Sequence, residues 1–140
     1  MEDIIISPFK IEDYNKVYNL WIKVFPKNTD SSYSRESVEA FLRRNPGTSF
    51  VARKGGLIVG TVLAGNDGRR GYIHHLGVLA EYRSMGIGKM LLQQAEKALK
   101  IAGMQKVHLF VFKDNISAKG FYDKIGYVKR NDIDVYSRNL

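Results

Sequence analysis

The apolar rhythm of this chain changes at Val78, and that change restricts its fold more than any other feature. Before Val78 the segments Ser49–Arg53 and Leu57–Ala64 flank Gly55-Gly56, a hairpin signal. Asn66-Asp67-Gly68 then turns the chain into a strand over Tyr72–Val78. Links this short predict an antiparallel meander. After Val78 the spacing alternates between helix and strand. A helix is expected over Gly86–Ala102, with Ile87, Leu91, Ala95, Ala98 and Ala102 on one face and Gly103 as its stop. A strand over Val107–Phe112, a helix over Ile116–Ile125 closed by Gly126, and a last strand over Ile133–Arg138 follow. Strands joined through helices pair in parallel, so the chain reads as α/β, with a central mixed sheet of about six to seven strands and about four helices on its faces.

The opening third supplies the remaining elements. Ile4–Ile6 reads as a first strand. Ile11, Tyr14, Val17, Tyr18, Trp21, Ile22 and Phe25 recur at helical spacing, and Pro26 follows the helix end. Ser34 suits the cap of a second helix whose stripe is Val38, Phe41 and Leu42, ended by Asn45-Pro46-Gly47. A chain of 140 residues fits one domain, expected to span residues 1–140.

Cysteine is absent, which removes disulfides, thiolate metal sites and a thiol nucleophile. No secretory pattern opens the sequence and no apolar run approaches the ~20 residues of a membrane span, so a cytoplasmic, membrane-free protein is expected. Lys and Arg number 22 against 14 Asp and Glu, a formal charge of +8. That favours an anionic partner. The basic residues are scattered singles and pairs, with no dense stripe or nucleic-acid motif, so no nucleic acid is expected.

The segment from Leu76 to Lys89 narrows the anion. A strand ending Leu76-Gly77-Val78 feeds a short loop, and Gly86 and Gly88 sit at the first turn of the long helix. The first amides of a helix have no internal partner and lie at its positive end, and glycine lets a phosphate come close. Arg83 and Lys89 add flanking charge. A Walker loop fails here, because Met90 follows Gly88-Lys89 where Ser or Thr is needed and Arg83 stands where its first glycine would be. The dinucleotide fingerprint fails too, with Leu91 in place of its third glycine.

Arg83-x-x-Gly86-x-Gly88 after such a strand resembles the pyrophosphate-binding motif of the GNAT superfamily of N-acetyltransferases. The downstream run Asn115-Ile116-Ser117-Ala118-Lys119-Gly120-Phe121-Tyr122-Asp123-Lys124-Ile125-Gly126-Tyr127 resembles that superfamily's second signature, and the order of elements is similar over nearly the whole chain. The resemblance implies acetyl-coenzyme A as cofactor and a GNAT-like acyl-CoA N-acyltransferase fold. It implies that the backbone of Arg83, Ser84, Met85, Gly86, Ile87, Gly88 and Lys89 holds the pyrophosphate. It also implies that Leu76, Gly77 and Val78 pair with the pantetheine arm, that Asn115 hydrogen-bonds the cofactor, and that Tyr122 sits near the thioester sulfur. Read without it, Asn115 is an ordinary helix cap and Tyr122 a core aromatic on the Ala118–Phe121–Ile125 stripe.

The implied partners are acetyl-CoA and an amine acceptor, with a homodimer allowed. Transfer to a primary amine of a small molecule or peptide is the leading reading. A protein or N-terminal amine acetyltransferase and a non-catalytic acetyl-CoA-binding regulatory module are the alternatives. In the branch that acetylates ribosomal-protein N termini, a glutamate on the strand before the asparagine is the base; this chain departs from that pattern with Phe110. His74 is the catalytic candidate for base or water relay, with Glu81 and Asp114 behind it. Strand alternation sends His74 and His75 to opposite faces and puts His74 on the face of Tyr72 and Leu76. The backbone amide of Val78 is the oxyanion-donor candidate. The acceptor pocket is expected from the first two helices, their Val24–Ser34 loop and the last strands.

Overall fold

Five strands form one sheet in the order β1-β2-β3-β4-β5 in the computed structural model, which describes residues 3–27 and 30–140. β1 (Ile4–Pro8), β2 (Phe50–Lys54), β3 (Leu57–Asn66) and β4 (Gly71–Val78) pair antiparallel in succession, and β5 (Val107–Leu109) joins β4 in parallel. The mixed α/β sheet and four helices are those the sequence pattern implies. The strand count is lower, because 133–138 forms no strand. Its alternating Ile133 and Val135 are exposed rather than half-buried, and among the described residues no strand pairs with them. Alternation creates a strand only where a neighbouring edge takes up its amides.

Asn28 and Thr29, within the Val24–Ser34 loop of the expected acceptor pocket, lie outside the described residues. The chain separates into one compact unit ending at Phe110 and a second over Val111–Leu140.

In the first unit, α1 (Tyr14–Val24) follows a 3-10 turn at Ile11–Asp13 and buries Tyr14, Val17, Leu20 and Trp21, the spacing of one helical face. The Arg53 guanidinium grips Asp13 at 2.8 Å and ties the start of α1 to β2. α2 (Arg35–Arg44) is capped as expected, with the Ser34 hydroxyl accepting from the Ser37 amide at 3.2 Å. Asn45 then locks its end to β3, its carbonyl oxygen accepting the Asn66 amide at 3.0 Å.

α3 (Ile87–Ile101) packs on the sheet through Ile87, Leu91, Leu92, Ala95 and Leu99. Leu92 and Leu99 are fully buried while Ala102 is exposed, a face rotated toward the larger side chains because they bury more apolar area. Gly60 makes room for this helix, since a Cβ there would stand 3.0 Å from Leu91 Cδ1. Gly77 does the same for α1, where a Cβ would meet Val24 and Phe25 at 3.1 Å. These two contacts place α3 and α1 on opposite faces of the sheet. The second unit holds α4 (Ile116–Lys124), terminated at Gly126 with φ +97°. No described helix is long and apolar enough to cross a membrane.

Candidate functional site

The turn between β4 and α3 is open and polar. A 3-10 turn at Ala80–Tyr82 leads to Ser84 at φ +64° and Gly86 at φ +83°, so the chain twice enters the left-handed region before α3 begins. Gly86 caps α3 with no side chain bonded to the cap, and nothing lies within 4 Å of where its Cβ would project. The opening amides of α3 lack intrahelical partners and lie at the positive end of a 15-residue helix, beside the open space at Gly86. Arg83, Ser84, Met85, Gly86 and Lys89 are exposed, and Gly88 is half-buried. Ile87 is 1% exposed and anchors the first turn of α3 in the core. Arg83 Nε donates to the Val78 carbonyl at 3.2 Å, which holds one flanking cation against the end of β4.

That strand end is itself an unpaired edge. Leu79 donates to the Val59 carbonyl at 2.9 Å, and Thr61 stands opposite Gly77. In an antiparallel ladder the amides alternate between the two sides of a strand. The Val78 N–H, between those positions, is thus turned away from β3 and toward the side of β5. But β5 pairs with β4 only from Gly71 to Ile73, so it has left the ladder before Val78 is reached. A splayed edge with a free amide lies one short turn from the α3 amides, and it can pair with an extended ligand.

Further back, β4 carries a bulge. The register against β3 shifts between Thr61 and Leu63, and His75 sits at φ +50°. The extra residue cancels one step of alternation. His74 and His75 therefore lie on the same face, contrary to the alternation expectation, with ring centroids 6.3 Å apart. Leu76 moves to the opposite face, since Gly77 already points at α1. His75 is ringed by Trp21, Phe25 and Tyr33 at 5.7, 5.8 and 4.3 Å, and its Nδ1 is 3.0 Å from the Tyr33 hydroxyl. Burial, with a smaller contribution from His74, pushes the His75 pKa down to about 4 against a slight opposing pull from Asp30. Burial also lowers His74. Both imidazoles are uncharged at neutral pH. The contact between His75 and Tyr33 was not legible in the sequence, because a bulge at a non-glycine residue leaves no compositional mark.

In the second unit, Asn115 caps α4, its side-chain oxygen accepting the Ala118 amide at 3.1 Å. Tyr122 is half-buried against Phe121 and Tyr127, at ring distances of 5.2 and 5.6 Å. Burial pushes its phenol up to about 12, so it stays protonated and able to donate. Glu81, Phe110 and Asp114 are exposed. Among the described residues no His, Asp and Glu side chains converge in a set able to hold a metal ion.

Comparison with known proteins matches this arrangement to one family. The model of the "Acetyltransferase (GNAT) family" matches residues 14–127. An acetyltransferase of Pectobacterium atrosepticum is 35% identical over 125 residues, covering 87% of this chain and 86% of the relative. Among solved structures, AAC(6')-Iy in complex with a bisubstrate analogue, CoA-S-monomethyl-acetylneamine, superposes with a TM-score of 0.82 at 16% identity over 99% of both chains. The PaiA N-acetyltransferase of Thermoplasma acidophilum in complex with coenzyme A gives 0.79 at 23% identity, covering 94% of this chain and 93% of that one.

Proposed function

The chain belongs to the GNAT acetyltransferase family and is an acetyl-CoA-dependent N-acetyltransferase, and we propose that it acetylates a primary amine of a small molecule or peptide by direct attack within a ternary complex. The observation that carries this reading is the opening of α3, where an exposed Gly86 at φ +83° with open space around it starts the helix beside the splayed end of β4. A diphosphate fits that place, because it needs several convergent N–H donors, a helix N-terminus and room for close approach. The amides from Arg83 to Lys89 grip it, and the Arg83 and Lys89 cations flank it. Leu76, Gly77 and Val78 pair with the pantetheine arm along the edge that β5 vacates. Asn115 adds a side-chain hydrogen bond.

Acetyl-CoA, when bound, supplies an activated thioester carbonyl and a thiol leaving group. The chain's own residues do the rest. The Val78 N–H donates to the carbonyl oxygen as negative charge gathers there. Tyr122 donates a hydrogen bond to the sulfur. With its phenol near 12, full proton transfer to a thiolate of pKa ~8.5 is uphill by roughly 5 kcal/mol, so it stabilises the leaving group without giving up its proton. An amine acceptor of pKa ~10.4 must lose a proton at pH 7, which costs roughly 4 to 5 kcal/mol unless the pocket favours the neutral form. His74, uncharged and half-buried, is available to relay that proton toward water. The reading requires both compact units to act as one domain over residues 1–140.

Purified Tyr122→Phe tests it. Turnover is expected to fall by roughly tenfold or more with acetyl-CoA affinity held, measured by thiol release and calorimetry. Unchanged turnover removes Tyr122 from the chemistry.

A further inference from the structure

The side chains that β4 presents before its bulge lie just upstream of the strand end assigned to acetyl transfer, and the inference rests on that reading of the strand. On the side of α1 and α2 these side chains are rings. Tyr72 and His74 stack at 6.3 Å with 8° between their planes. Phe41 of α2 meets His74 edge-on at 5.9 Å, and His108 of β5 lies 5.8 Å from Tyr72. All four rings are half-buried, so the row keeps an open side, whereas Trp21 and Tyr33 behind it are closed off at 2% and 4% exposure.

Negative charge is sparse beside His74. Burial alone lowers His74, with no carboxylate offsetting it among the described residues. The one carboxylate that acts on His75 is Asp30, and it already accepts the Ser32 amide at 2.8 Å and the Ser32 hydroxyl. The chain as a whole carries +8. A ligand with several ammonium groups would meet long-range repulsion and no fixed anions to offset the loss of its hydration. A single amine on a flat or apolar body meets the opposite conditions, because ring faces cover its carbon surface and tolerate one cation.

We propose that the acceptor is a primary amine on an aromatic or apolar body with no second positive charge, lying along the Phe41–His74–Tyr72–His108 row, and that polyamines and aminosugars are poor acceptors.

The test is a thiol-release assay on the full chain at saturating acetyl-CoA, with 2-phenylethylamine, tryptamine, spermidine and neamine as acceptors. The aryl amines are expected to give kcat/KM at least about tenfold above spermidine and neamine. Phe41→Ser is expected to raise KM for 2-phenylethylamine about fivefold or more, with KM for acetyl-CoA within about twofold of the parent. His74→Glu, which plants a carboxylate in the row, is expected to move the spermidine to 2-phenylethylamine ratio about tenfold toward spermidine. Spermidine or neamine matching the aryl amines in the parent chain overturns the proposal, and so does failure to acetylate any aryl amine. Calorimetry on the same preparation separates the two levels: no acetyl-CoA binding sinks the donor site, whereas binding with the wrong acceptor order sinks the acceptor assignment alone.

Discussion

Two stretches of this chain enter the left-handed backbone region with opposite surroundings. At the start of α3, Ser84 and Gly86 hold φ of +64° and +83° in an exposed turn with open space beside Gly86. At the bulge in β4, His75 holds φ of +50° inside a shell of Trp21, Phe25 and Tyr33. Left-handed backbone at a non-glycine residue costs about 1 to 2 kcal/mol, so each needs compensation from its surroundings. Packing supplies it at the bulge, where ring contacts and the Tyr33 hydrogen bond hold the imidazole. Little packs on the turn, and in the proposed function an anion that takes up its amides stabilises its conformation. Strain held by a core positions a side chain, whereas strain held by a ligand positions a backbone.

The comparison breaks most readily at Gly86. Gly86→Glu combines a Cβ at a positive φ with a carboxylate at the anion site, and acetyl-CoA affinity is expected to fall by about a hundredfold or more in a folded protein. Calorimetric binding equal to the parent would sink the pyrophosphate assignment.

The bulge answers to pH instead. His75 has a folded pKa near 4, below its ordinary 6.5, so the unfolded chain binds more protons between those values. Stability therefore rises as pH increases through that window and is lost on acidification from about pH 6.5 to pH 4, by at most about 3 kcal/mol for a group with some solvent access. Urea unfolding at pH 7 and pH 4.5, with His75→Gln as the variant expected to flatten the difference, measures it. An equal pH difference in parent and variant would remove His75 as its source.

The smallest effect is expected at Ser84. Ser84→Gly relieves the φ of +64° but adds freedom to the unfolded chain, so stability should change by less than about 1 kcal/mol while acetyl-CoA affinity is retained. A large loss of affinity there would show that the serine side chain, and not the backbone alone, meets the ligand.

Most of the turn that opens α3 was readable from residue order. Gly86 and Gly88 opening a long amphipathic helix after a strand is a local pattern, and the helix caps at Ser34 and Asn115 appear where those residues stand. The end of the chain was not readable in this way. Ile133 and Val135 alternate as a strand would, yet they remain exposed and unpaired, because pairing depends on a neighbouring edge that residue order does not locate. The histidine pair failed for a related reason, since alternation along β4 holds only while its register against β3 is unbroken.

Short-range chemistry thus determined the succession of strands and helices, the turn that opens α3 and the absence of any thiol route, since each depends on residues a few positions apart. Tertiary structure alone decided that β5 departs before Val78, that one inserted residue swings His75 beneath α1, and that Phe41, His74, Tyr72 and His108 share a face. Those outcomes depend on how strands distant in sequence align, and a one-residue change of alignment reverses the side on which every later side chain lies.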